Sequence, residues 1–324
     1  MKRHIFLGDS RTPIALPDRR VLEAGNTSTA GVWQYKGGEP GPTVLVTSLI
    51  HGNEIAGALA CAAFVAQPPA IKHGTLIIAF CNLKAYEQIE DANKEHCRWF
   101  AEDMNRVWGR IDTPFNAQDS YELNRAKELK AWIDQSDVLL DLHSMHTSGP
   151  ALGLVGTESR NVEFAKRIAQ PQYLIADKGH AAGKRLIDLD RFTQSSEHAV
   201  AMLVECGLHF EQKTLDTARS VMEATVQAYL GCEGIFHVPL PRLLPPQILV
   251  EVTDAVTINS HGFAFTQDCP NMAQIPEQGS CIAKDGDLRV TTPYADAWLV
   301  MPAPPQYMLP GMTAVRFGRT VHLH

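Results

Sequence analysis

The chain has 324 residues, 45% of them hydrophobic and 20% charged, with a formal net charge of −7 at pH 7. That length suits one large domain plus a smaller one and buries a core without disulfide staples. The negative charge argues against nucleic acid as a partner, because phosphate binding needs a basic surface; it still permits a local arginine cluster that takes a small anion.

In chain order, Ile5–Leu7 is a short apolar run, too short for a secretory leader, so a cytoplasmic location is expected. The Gly8-Asp9-Ser10 that follows has the look of a serine-esterase nucleophile block. The prolines at 13 and 17 break the helix such a serine needs, and no Asp-x-x-His pair appears near the C-terminus. Thr43–Ile50 reads as a buried strand, Ile55–Ala66 as a helix and Thr75–Cys81 as a second strand. The helix is well below the roughly 20 residues that span a bilayer, so no membrane role is expected. Residues 93–120 lack periodicity and read as a long loop, a kind that is usually functional. Tyr121–Gln135 reads as a helix capped by Ser120, Asp137–Leu142 as a third strand, Tyr173–Ile175 as a further one and Ala201–Val204 as a fourth main strand. Leu215–Leu230 reads as a helix, with Gly231 at its left-handed C-cap. Strands alternating with helices predict an α/β layer architecture. After residue 238 the texture changes: Pro239, Pro241, Pro245 and Pro246 mark a linker, and short β-rich runs at 248–252, 255–258, 288–292, 298–301 and 313–317 predict a small all-β domain. The expected division is 1–238 and 239–324. Seven cysteines without a C-x-x-C pair, several in apolar runs, point to a reduced compartment.

Chemistry concentrates at the ends of the strands. His51-Gly52-Asn53-Glu54 follows a buried strand and opens a helix, where His51 and Glu54 can converge on one ion. H-x-x-E alone is a common pattern; Asp141-Leu142-His143, at the end of another buried strand, adds the third donor. Two His and one Glu form a catalytic zinc set with one position open. Asp141, on the same side of the strand as His143, suits the far N–H of a ligand imidazole. Glu205, at the end of a third strand, suits a general base acting on water. Arg98, Asn105 and Arg106 on the long loop offer donors for a carboxylate or a developing oxyanion.

In this order and spacing the motifs resemble the succinylglutamate desuccinylase/aspartoacylase family of zinc carboxypeptidase-like proteins, over roughly residues 43–210. The resemblance implies a mixed sheet flanked by helices, one Zn2+ per chain on His51, Glu54 and His143, and Glu205 as base and proton shuttle. It further implies that Arg98 polarises the scissile carbonyl, that Asn105 and Arg106 hold a substrate carboxylate, and that the β-rich tail covers the active-site mouth. The substrate would be a small N-acylated amino acid carrying a carboxylate. A peptide carboxypeptidase and a serine esterase at Ser10 are the alternatives. Aspartoacylases of this family use a further arginine about ten residues before the base to read a second carboxylate; here that position is Ser195, with Arg185 and Arg191 nearby but out of register. A late tyrosine closes the carboxylate pocket in related enzymes, and Tyr294 is preferred here over Tyr307. The sequence does not decide between a monomer and a homo-oligomer.

Overall fold

The computed structural model describes residues 4–6, 13–90, 97–232 and 245–322. Its strands are β1 His4–Phe6, β2 Pro13–Ala15, β3 Val32–Lys36, β4 Glu39–Ser48, β5 His73–Phe80, β6 Val138–Met145, β7 Leu152–Leu154, β8 Tyr173–Ala176, β9 Val200–Leu208, β10 Ile248–Thr257, β11 Phe263–Phe265, β12 Ala273–Ile275, β13 Cys281–Asp285, β14 Leu288–Thr291, β15 Ala297–Val300 and β16 Thr313–Val321. The helices are α1 Arg19–Ala24, α2 Ile55–Ala66, α3 Leu83–Glu87, α4 Tyr121–Asp134, α5 Ser159–Ile168, α6 Asp190–Thr193 and α7 Gln212–Leu230.

Eleven strands form one mixed sheet in the order β12-β15-β16-β10-β8-β7-β9-β6-β4-β5-β3. Its centre is parallel: β5, β4, β6 and β9 run side by side. These strands are covered on both faces, so they read as continuous apolar runs rather than alternating ones. One face packs under α2 and α7 with Val44, Val46, Leu140 and Val204; the other carries Leu45, Leu139, Leu203 and α4. Alternate residues of each strand thus feed two separate cores. Ser120 caps α4 by accepting from the Leu123 N–H at 3.0 Å, and Gly231 ends α7 at φ 65°.

The tail differs from a free-standing β unit. The runs at 248–252 and 255–258 join into the single strand β10, with register shifts near residue 253 and at its end. β10 pairs parallel with β8, and β16, β15 and β12 continue the main sheet from there. Only β11, β13 and β14 form a separate three-stranded sheet. The tail still has its own core, around Phe263, Ile282, Leu299 and Phe317. The prolines at 239 and 241 and the 238/239 boundary lie outside the described residues, as does Ser10. Among the described residues no helix is long and apolar enough to cross a membrane.

Candidate active site

The parallel strands β4, β6 and β9 deliver three chemical segments to one region. β4 ends at Ser48, and Leu49 turns the chain in the left-handed region at φ 57°. A buried non-glycine residue held there costs on the order of 1–3 kcal/mol, a cost tolerated where surroundings over-determine the turn. The Leu49 carbonyl is held by the Asn82 N–H at 2.7 Å. Gly52 is required by space: a Cβ there would lie 2.3 Å from the Cys97 carbonyl oxygen. Glu54 occupies the N-cap of α2, just before the first turn in which it was expected. Gly57 lets that helix approach β6, since a Cβ would meet Leu142 Cβ at 2.7 Å.

His143 and Glu205 fall inside strands rather than at their ends, because β6 runs on to Met145 and β9 to Leu208. They are register partners across the β6–β9 pair. This places the carboxylate of one strand beside the imidazole of the next.

His51, Glu54 and His143 are buried, and their donor atoms all lie within 4.8 Å of one another. Glu54 bridges the pair, with Oε1 2.6 Å from His51 Nδ1 and Oε2 2.8 Å from His143 Nδ1. Each imidazole has a carboxylate on its far nitrogen: Asp141 Oδ2 is 2.9 Å from His143 Nε2, and Asp103 Oδ1 is 3.1 Å from His51 Nε2. Both rings are thereby oriented with Nδ1 toward Glu54. The first contact matches the side-of-strand argument for Asp141. The second was not read from the sequence, where Asp103 is one of several acidic loop residues.

Burial alone would raise the Glu54 carboxyl, yet His51 and His143 hold it well below the usual carboxylate range. Burial would lower His143, but Asp141 and Glu54 raise it well above an ordinary histidine. Glu205 behaves oppositely: burial, then the nearby Glu54 carboxylate, pushes its carboxyl up. Its Oε2 is buried and has no hydrogen-bond partner among the described residues. Four carboxyl groups (Glu54, Asp103, Asp141 and Glu205) thus face two imidazoles and Arg98. The three carboxylates Glu54, Asp103 and Asp141 around the two imidazoles, with the unpartnered Glu205 oxygen beside them, fit a divalent cation with a water next to it.

The cluster opens into a cavity of about 530 Å3, also lined by Arg98, Asn105, Arg106, Tyr307 and Arg316. The loop that carries Arg98 and Asp103 is shaped by two short 3-10 turns, at Met104–Arg106 and Trp108–Arg110. Glu122 of α4, fully buried, secures it by accepting from the Phe100 N–H at 2.6 Å and the Ala101 N–H at 3.2 Å. Arg98 Nη1 lies 3.3 Å from Glu54 Oε1 and 3.4 Å from His146 Nε2. Asn105 accepts from the Leu186 N–H through Oδ1, which leaves its NH2 as the donating end.

The expectation for Tyr294 is corrected. Its hydroxyl lies 2.7 Å from Thr253 Oγ1 and its ring packs against the tail core, so β10 holds it away from the cavity. Tyr307 lines the cavity instead, with its ring 4.8 Å from that of His146. Arg191 is taken up by the Ser136 carbonyl, and Arg185 by Asp177 and Asp188.

A mixed sheet flanked by helices, with a buried His–Glu–His cluster at the turn into α2 and on β6, is the carboxypeptidase-like α/β arrangement expected from the sequence. Residues 40–228 match the model of the succinylglutamate desuccinylase/aspartoacylase catalytic domain, and the chain belongs to that family. No curated protein sequence matches the chain. Among solved structures it is similar in fold to a succinylglutamate desuccinylase from Vibrio parahaemolyticus, with a TM-score of 0.65 at 15% identity over 91% of this chain and 87% of that one. A succinylglutamate desuccinylase/aspartoacylase from Rhodobacter sphaeroides gives a TM-score of 0.66 at 14% identity over 92% of each chain. Murine aminoacylase 3 gives 0.62 at 16% identity over 87% of this chain and 96% of that one.

Proposed function

We propose that the protein is a zinc-dependent hydrolase that cleaves the amide bond of a small N-acylated amino acid. The observation that carries this reading is the buried Glu205 Oε2, without a hydrogen-bond partner among the described residues, beside the His51–Glu54–His143 cluster. Family membership supports the same reaction class.

His51, Glu54 and His143 would hold the ion. The set of two imidazoles and one carboxylate suits zinc and leaves a position open. Zinc supplies Lewis acidity at this point, polarising a carbonyl and making water easier to deprotonate. Glu205 takes a proton from the attacking water and returns it to the nitrogen as the C–N bond breaks. A carboxyl group whose affinity for protons is raised by burial is suited to both halves of that transfer. Arg98 donates to the oxygen on which negative charge develops, a contribution typically worth about 3–4 kcal/mol per donor. The Asn105 amide and Arg106 hold the substrate carboxylate; Arg106 is mostly buried, and its own guanidinium contact is to the Asn105 carbonyl. Residues of the 239–324 segment line the cavity, which favours small substrates over peptides.

The test is metal content of the purified protein together with turnover of N-acyl amino acids beside short peptides. About one zinc per chain, lost in His143→Ala, with preferential cleavage of N-acyl amino acids, is the expected result. Preferential cleavage of the peptides would make the protein a carboxypeptidase. Chelator-insensitive turnover abolished by Ser10→Ala would make it a serine esterase.

A further inference from the structure

Arginines inside a protein are normally paired, because an uncompensated buried charge is costly. Four line this cavity: Arg98, Arg106, Arg185 and Arg316. Arg98 lies beside Glu54 and Asp103. Arg185 is fully engaged, with Nη1 2.9 Å from Asp177 Oδ2 and Nη2 2.8 Å from Asp188 Oδ1. Those contacts also occupy both oxygens of Asp177. Arg316 has no hydrogen bond or ion pair among the described residues, although it is only partly exposed.

Arg316 belongs to β16, so it enters the cavity from the C-terminal segment. Its main electrostatic neighbours are Asp177 and Arg185, whereas Arg106 feels Asp103 and Arg98 near the metal ligands as well as Arg316. Arg106 and Arg316 line the same cavity as the metal-ligand cluster. His180 adds no charge here, because burial and these arginines push it down to about 4. The position ten residues before the base, Ser195, carries no cation.

We infer that Arg316 is a specificity-determining residue that binds a second carboxylate of the substrate, in addition to the one assigned to Arg106. The inference rests on the proposed reading of this cavity as the substrate site, but its test needs no turnover. An unpaired guanidinium in the cavity selects compounds with two anionic groups over those with one. It also makes the C-terminal segment part of the recognition surface.

The test is calorimetric titration of the intact protein with succinate, a dianion, and with butyrate, a monoanion of similar length. The wild type is expected to bind succinate more tightly than butyrate. Arg316→Gln is expected to weaken succinate by about tenfold or more, the size of one charge-assisted contact, and to leave butyrate unchanged. Arg316→Lys, which keeps the charge, should retain part of the preference; it also serves if the glutamine variant fails to fold. Equal wild-type affinity for the two probes overturns the inference, as does equal weakening of both in Arg316→Gln. Hydrolysis and metal content are read separately. An absence of amide hydrolysis would sink the proposed reaction while leaving a measured succinate preference intact.

Discussion

Asp103 and Asp141 come from unrelated parts of the chain and make the same contact: each sets a carboxylate oxygen on the Nε2 atom of one candidate metal ligand, at 3.1 Å from His51 and 2.9 Å from His143. Asp141 is rigid by construction, inside β6 and further held by Thr47 Oγ1, which donates to Oδ1 at 2.7 Å. Asp103 caps a short 3-10 turn and depends on its loop. Burial would raise its carboxyl, but His51 and then Arg98 hold it far below the usual range. Asp103→Asn is expected to weaken zinc binding by about 10–100-fold while preserving the fold. Competition with a chromogenic chelator measures this; unchanged zinc affinity would remove Asp103 from the site.

Glu205→Gln keeps the shape and removes the proton acceptor. Turnover should fall by about 10²–10⁴-fold, the typical worth of general base catalysis, with zinc still bound at one per chain. Residual activity near the wild-type level in the metal-loaded variant would assign the base elsewhere.

Glu122 is buried beneath the loop that carries Arg98 and Asp103, and receives backbone N–H groups from Phe100, Ala101 and Glu102. Glu122→Ala would leave those donors unsatisfied, at a cost of about 3 kcal/mol in stability. Because the loop also positions Arg98, kcat should fall more than the loss of folded protein explains. Urea denaturation and kinetics on the folded fraction distinguish the two effects.

His209 is buried against Ser144, whose Oγ lies 2.7 Å from its Nδ1, and burial pushes its pKa down to about 3. The unfolded histidine binds a proton near pH 6.5, so between pH 6.5 and about 3 the unfolded state carries the extra proton. Stability therefore falls as pH drops through that window, by about 1.4 kcal/mol per pH unit from this residue. His209→Asn should flatten the slope by that amount in denaturation curves taken from pH 7 to pH 4. An unchanged slope would show that His209 does not titrate differently on unfolding.

The parallel centre of the fold was legible because its strands are buried on both faces and bounded by turn residues. Thr43–Ile50, Asp137–Leu142 and Ala201–Val204 all stand where the apolar runs are. Their chemical residues were legible because they interrupt those runs: nothing apolar explains Asp141 or Glu205. Asp103, Glu122 and Arg316 were not, since each acts on a residue that is remote in sequence and each sits in a stretch where charge is ordinary. The tyrosine was misplaced for a related reason. Two candidates lay in the tail, and only the packing of the β10 segment decides which one faces the cavity.

The pairing of β10 with β8 sets a limit on how this chain can be shortened. Ending it after α7 would strip Tyr173–Ala176 of a parallel neighbour and leave four residues of bare strand next to an apolar core. Such an edge recruits copies of itself. A fragment ending near residue 238 is thus expected to collect in inclusion bodies when it is made without residues 239–324.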